Sequence, residues 1–228
     1  MNKRVFSTEL AYVLGIIILA VGTALMTLAD FGLSMVVAPA YLLHLKVSET
    51  LSFFTFGMAE YMLQALLLIA MALLLHRFKM SYLFSFCTAV LYGLTLDGAI
   101  WLTAPLATAS MVLRAVYFVT GLVMGSVAIS LFFHTYISPE AYELFVKEVS
   151  EKYKVDIHRF KTGYDCVSCL LSVILSFAFF GLWQFRGVGI GTVITSAVNG
   201  WLIGWCTHTL EKHFEFRDAF TFRRYFEK

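Results

Sequence analysis

Three charged side chains lie well inside long apolar runs: Glu60, Asp97 and Arg114. A charge within a membrane helix costs roughly 2.5–3.5 kcal/mol on insertion scales, and it faces a bundle interior, a cavity or a partner. These residues are therefore the first candidates for chemistry. They fall about eight, six and five residues from the nearest ends of their runs, which at about 1.5 Å per residue gives them similar depth. The expectation is one cluster in which Arg114 pairs with Asp97 and Glu60. One arginine between two acids leaves a surplus carboxylate, as a protonatable or cation-binding site would. The plainer alternative is an ion pair that only fixes helix register. Neighbours at helical spacing mark inward faces: Gly57, Glu60 and Gln64; Gly93 and Asp97; Arg114, Phe118, Gly121 and Gly125.

A second set lies near the opposite ends. Asp165 opens one run, His134 closes another and His208 follows the last. A histidine and an aspartate at both mouths of a pathway could relay protons or gate a solute, and the bland reading is an interfacial polar group reaching water. The stretch from Arg186 to Thr192 brings three alternating glycines to the start of the last run. No strand precedes it and it has no Walker lysine, so it is neither a dinucleotide fingerprint nor a P-loop. Gly189, Gly191 and Thr192 either let backbones approach closely or leave amides free for a solute anion. Asn199 stands beside a packing ridge of Ser196, Gly200 and Gly204. Cys166 and Cys169 have no companion pair, so neither a metal nor a disulfide is expected. With no Ser-His-Asp order, no HExxH motif and no paired extramembrane carboxylates, the chain reads as a non-enzyme without catalytic residues, metal or cofactor.

The elements that must position these residues are membrane helices. Of 228 residues, 60% are apolar and 14% charged, with a mean hydropathy of +0.79. Soluble domains run at about 45–50% apolar and about 25% charged. Crossing about 30 Å of hydrocarbon takes about 20 apolar residues, and six runs qualify: 10–29, 52–75, 81–103, 109–133, 164–182 and 188–207. The expected fold is an all-α membrane protein, one membrane domain over 1–228 with six transmembrane helices. The first run is too long for a signal-peptide core, and Glu9 sits where a signal would stay basic. A net charge of +2 with no basic stripe gives no sign of a nucleic-acid partner.

With a cytoplasmic N-terminus, all but three of the 17 basic residues fall on the inner side. Lys46 and Arg186 fall outside and Arg114 within a span, which satisfies the positive-inside rule with both termini cytoplasmic. Two connections are too long for turns. In the first, residues 34–43 read as half-inserted at the outer face. In the second, Ser138-Pro139-Glu140 reads as the start of a cytoplasmic helix over about 139–154. The tail 211–228 alternates aromatics and bases and is expected along the cytoplasmic headgroups. Val21 to Ser34 aligns with Gly125 to Ser138, and Gly57 to Gly93 with Gly163 to Gly200 with one inserted residue. A three-span repeat would set two halves inverted across the bilayer, and chance similarity between apolar strings is the competing explanation. In this alignment His134 falls opposite Asp30, and Asp165 within one residue of Glu60.

Gly22-Thr23-Ala24-Leu25, Ala29-Asp30-Phe31-Gly32-Leu33-Ser34, Arg114 before Gly121, Ser138-Pro139, Asp165 and Gly189-Ile190-Gly191-Thr192 together resemble the YczE/YyaS/YitT group of bacterial membrane proteins. The resemblance implies a compact multi-span protein of the bacterial cytoplasmic membrane and singles out Asp30, Arg114, Asp165, Gly189, Gly191 and Thr192. The function expected is a secondary transporter or channel for a small solute, with Arg114 binding an anionic group or holding the acids and Asp97 or Glu60 taking a coupling proton. The alternatives are a substrate-binding subunit of a multi-component importer and a non-transporting regulator or assembly factor. The expected partners are a small-molecule solute and the lipid bilayer, with a homodimer through Gly121 and Gly125 an open option.

Overall fold

The structure, a computed structural model, describes residues 4–181 and 187–220. Arg186, Leu182 and the distal tail from Thr221 lie outside the described residues. Helices dominate. The order is β1 (Arg4–Ser7), α1 (Thr8–Ala29), α2 (Ala38–Val47), α3 (Phe56–Leu75), α4 (Met80–Thr103), α5 (Met111–Phe132), α6 (Ala141–Tyr153), α7 (Ile157–Phe180), α8 (Ile190–His213) and β2 (Phe214–Arg217). Among the described residues, five helices are long and apolar enough to cross a membrane: α1, α3, α4, α5 and α7. Large apolar side chains point outward along them, for example Val112, Val116, Val119 and Val123 on α5. A stripe at that spacing exposes one whole face of a helix, as on helices set in lipid. The chain is an all-α, multi-pass membrane protein.

Local chemistry sets the helix limits. Ser7 caps α1 by accepting from Leu10 N, and Thr55 caps α3 by accepting from Met58 N. Asp156 caps α7 by accepting from Arg159 N, so this helix starts well before the apolar run expected from Tyr164. α8 has 24 residues, but Asn199, His208, Glu211 and Lys212 make it less apolar than the five spans above.

α1 and α5 form the central pair, α4 packs on α1, α8 on α5, and α3 on α4. The two shorter helices are wedges, since α2 and α6 each contact both α3 and α7. Small residues permit the close crossings. A Cβ on Gly57 would collide with the Gly93 carbonyl, and one on Gly93 would come within 2.7 Å of the Gly57 oxygen. The main core joins α1, α2, α3, α4 and α5 through Ile16, Leu42, Phe56, Leu96 and Phe118. A smaller core lies under α6, built from Leu68, Met71, Tyr82, Leu144 and Val149.

The first and last described segments meet at one end of the bundle. β1 pairs with β2 in parallel, Arg4 opposite Phe214 and Ser7 opposite Arg217. Glu9 accepts from the backbone amides of Ala219 and Phe220, and Phe216 stacks on His134 at 4.1 Å. The described part of the tail is therefore folded against the N-terminus instead of lying free. Below, this is the terminal end; the other is the far end.

Candidate functional site

The expected cluster of Arg114, Asp97 and Glu60 does not form. Each goes to a different partner. Arg114 Nε donates to the carbonyl of Ala29 at 2.7 Å, and Nη2 donates to Asp30 O at 3.3 Å and Asp30 Oδ2 at 3.1 Å. Its guanidinium also lies over the Phe31 ring, 5.2 Å from the centroid. Ala29 ends α1 and Asp30 is its left-handed cap, so Arg114 satisfies carbonyls left open at a helix C-terminus, where a cation is favoured. Asp97 serves the opposite kind of end. Its Oδ1 accepts from Gly57 N at 2.7 Å and its Oδ2 from Thr55 Oγ1 at 2.6 Å, holding the N-terminus of α3. Similar depth along the helices does put Arg114 and Asp97 at one end of the bundle, but the unpaired backbone groups there outcompete the side-chain pair.

Glu60 lies elsewhere, fully buried on the face of α3 that meets α6. Its Oε2 accepts from Tyr142 Oη at 2.9 Å and, more weakly, from Gln64 Nε2 at 3.5 Å. Gln64, also fully buried, accepts from Ala141 N, the first amide of α6, at 3.1 Å. The segment leading in is pinned to α4, where Ser85 Oγ donates to Pro139 O at 2.7 Å and Thr88 Oγ1 to Ser138 O at 3.1 Å. Gln64 stands 11 residues from the last residue of α3, about 16 Å from the terminal end at 1.5 Å per residue. The helix expected on the cytoplasmic surface over 139–154 is therefore a half-inserted one, with its first turn deep in the bundle. It rises from there to the terminal end, where Glu148 accepts from Arg77 at 2.8 Å and from Lys79 at 2.6 Å.

This insertion brings Glu140 toward Glu60. Glu140 is half-buried as a residue, but its Oε1 is sealed from solvent and has no hydrogen-bond partner, and the same is true of Glu60 Oε1. Burial pushes the Glu140 carboxyl well above the usual carboxylate range, and the Glu60 and Glu143 charges add to the shift. Tyr142 is likewise pushed well above its ordinary value, by burial and then by Glu60. Tyr92 on α4 is buried, feels the charges of both carboxylates and bonds Thr23 of α1 at 3.0 Å. Sequence reasoning singles out Glu60 and puts Gln64 on its face, but it misses Glu140, Tyr142 and Tyr92 as site residues.

The other expected residues are scattered. Asp165 pairs with Lys161 at 3.2 Å, and Lys161 with Glu143 at 3.4 Å, between the inserted helix and α7. His134 Nδ1 donates to Ser130 O, 2.7 Å away, and its Nε2 lies 3.5 Å from Glu211, anchoring the tail. Asn199 accepts from Ser126 Oγ at 3.0 Å, joining α8 to α5. Gly189 and Gly191 pack on the loop before α2: Gly191 N donates to Phe31 O at 2.7 Å, and a Cβ on Gly32 would meet Thr192 Oγ1 at 2.5 Å. Gly189 and Gly191 both lie in close contact with the Phe31 and Gly32 backbone. Cys87, Cys166, Cys169 and Cys206 are free.

The fold and the half-inserted helix define a polytopic helical membrane protein with a buried carboxylate centre. A family model matches residues 6–208, and the chain belongs to that family, a family of unknown function (DUF6198). Neither the curated proteins nor the solved structures contain a match.

Proposed function

We propose that the chain is a secondary transporter or channel for a small solute in the bacterial cytoplasmic membrane. In this reading it is two inverted three-span halves, with α8 as the sixth span and both termini cytoplasmic. One observation carries the proposal: α2 and α6 enter from opposite ends and are each wedged between α3 and α7. Exchanging α1, α2, α3 and α4 for α5, α6, α7 and α8 maps the contacts of α2 with α3 and α7 onto those of α6, and the α1–α4 pair onto α5–α8, while among the described residues the close α3–α4 packing has no counterpart of like extent between α7 and α8. Two hydrogen bonds follow the same exchange, Thr23 to Tyr92 and Ser126 to Asn199, each 3.0 Å. Inverted halves that meet around broken or half-inserted helices are a transporter architecture, with the solute path at the interface of the halves. The excess of basic residues toward the terminal end supports the cytoplasmic placement. The glycine-rich motifs quoted above support kinship with YczE/YyaS/YitT-type proteins.

Arg114 and Asp97, occupied at helix ends, are scaffold in this reading, and the solute path passes the α6 tip. The test is electrical. Proteoliposomes adsorbed on a solid-supported membrane are exposed in turn to amino acids, sugars, organic acids and inorganic ions. At least one class should give transient currents absent from protein-free vesicles and reduced in Tyr142→Phe. Silence across the panel for charged and proton-coupled solutes, with unchanged radiolabel uptake for neutral ones, would count against transport.

A further inference from the structure

Two acids share the buried centre, and no base answers them. On α3 itself Glu60 has only Gln64 beside it. From α6 it takes a hydrogen bond from Tyr142, and its charge acts on Glu140 of the same segment, on Tyr92 of α4 and on Tyr164 of α7. The Glu140 charge in turn acts on Tyr12 of α1, and that of Glu143, on its own helix, acts on Glu140. Among the described residues, no lysine, arginine or histidine acts on either carboxyl. Lys161, the base that pairs with Glu143, is already shared between Glu143 and Asp165. Two uncompensated negative charges cannot both persist in a desolvated site, so at least one positive charge must enter with them.

We propose that Glu60 and Glu140 form one proton-binding site, loaded from the terminal end past Glu143 and Asp165. Four observations carry it. Glu60 is fully buried, with one oxygen fixed by Tyr142 and Gln64 and the other, Oε1, unpartnered. Glu140 Oε1 is likewise sealed and unpartnered. Glu140 caps the tip of a helix that enters the bundle part-way, two residues before the Tyr142 that bonds Glu60. Glu143, with 38% of its side chain exposed, continues the line of carboxyls toward water, and Lys161 ties it to Asp165. A proton needs only a free carboxylate oxygen. A metal ion would need several oxygens, and among the described residues no group of three or more His, Cys, Asp or Glu gathers to hold one.

The proton balance is simple. An O–H bond forms on Glu60 or Glu140 Oε1 as water at the terminal end gives up a proton, and the same bond breaks when the site discharges. With two carboxyls in one desolvated site, the two losses are steps of the pair and not of either residue. This assignment deepens the transport reading and rests on it only for what the proton would drive.

The test uses the full chain in lipid nanodiscs and no added ligand. Attenuated-total-reflection infrared spectra are recorded across pH in H2O and D2O, following the C=O stretch of protonated carboxyls. The expected wild-type result is a deuterium-sensitive band still present at about pH 7, where exposed carboxyls are ionised, and bleached at higher pH. Glu140→Gln should remove about half its amplitude and lower the pH at which the rest bleaches, because a like charge has gone. Glu60→Gln should do the same, and Glu151→Gln, on the exposed side of α6, should leave the band alone. Absence of the band in wild type at about pH 7, or its survival unchanged in Glu140→Gln, would overturn the proposal. Bleaching by sodium at fixed pH would also overturn it, in favour of a metal cation. Should Glu60→Gln not fold, the wild-type and Glu140→Gln titrations decide alone. A normal band in protein that moves no solute would leave the proton site standing and count against the transport reading instead.

Discussion

Replacing Arg114 separates a helix cap from an ion pair. The guanidinium is a quarter exposed, while its acidic partner Asp30 is 74% exposed. Pairs that reach solvent contribute under about 1 kcal/mol, so the Asp30 contact is the minor part. The bond from Nε to the Ala29 carbonyl is charge-assisted and its acceptor residue is fully buried, a setting in which such bonds contribute about 1.5–3 kcal/mol. The guanidinium over Phe31 adds about 0.5–1 kcal/mol. Arg114→Ala should therefore lower unfolding free energy by about 2–4 kcal/mol. Asp30→Gly should cost less than about 1 kcal/mol, because it removes only the exposed pair and puts a tolerant residue at φ 53°. Equilibrium unfolding in mixed micelles by SDS titration measures both. An Asp30→Gly loss equal to that of Arg114→Ala would refute the capping role and make the ion pair the main source of the stabilisation.

Glycine substitutions should divide by neighbourhood. Gly57→Ala drives a Cβ into the Gly93 backbone and should cost about 3 kcal/mol, the upper end for overpacking, since a carbonyl cannot swing aside. Gly200→Ala meets nothing within 4 Å and should gain up to about 1 kcal/mol of helix propensity, both read as midpoint shifts in the same titration. Stability should fall as pH rises, because burial holds the folded-state Glu140 carboxyl well above the usual range. Folding then favours the protonated form, so the contribution is complete below the ordinary carboxyl range and lost as pH climbs through the folded-state value. Melting temperatures across pH should show this slope, flattened in Glu140→Gln. Glu148→Gln removes the carboxylate that Arg77 and Lys79 grip. It should cost about 1 kcal/mol, since both bases are about a third or more exposed and can hydrate, with faster amide exchange confined to α6.

The membrane helices are legible in the sequence because lipid demands long apolar runs, and the five spans begin and end within a few residues of those runs except where Asp156 starts α7 early. The half-insertion of α6 is not legible. Glu143, Lys147, Glu148, Glu151 and Lys152 give the segment the composition of a surface helix. Its insertion depends on partners far along the chain, Ser85 and Thr88 for the entering backbone and Gln64 for the first amide. A signal is present in Ala141, Tyr142, Leu144 and Val149, an apolar face out of keeping with a helix resting on headgroups. Depth counting puts Glu60, Asp97 and Arg114 at one level, and Arg114 and Asp97 do lie at one end of the bundle, each on a helix terminus. It cannot show that each is claimed by a helix terminus, because open backbone carbonyls and amides leave no mark in the side-chain sequence.

The buried centre rests on Tyr142 reaching Glu60, and a double-mutant cycle with Glu60→Ala and Tyr142→Phe tests that contact directly. Unfolding free energies of the wild type, both single variants and the double variant are measured in the same lipid micelles. A half-inserted α6 with a 2.9 Å bond between these side chains predicts a coupling of about 1 kcal/mol or more, as for a bond to a charged or buried group. Additivity to within about 0.3–0.5 kcal/mol, the behaviour of residues far apart, would place α6 outside the bundle and contradict the buried carboxylate centre.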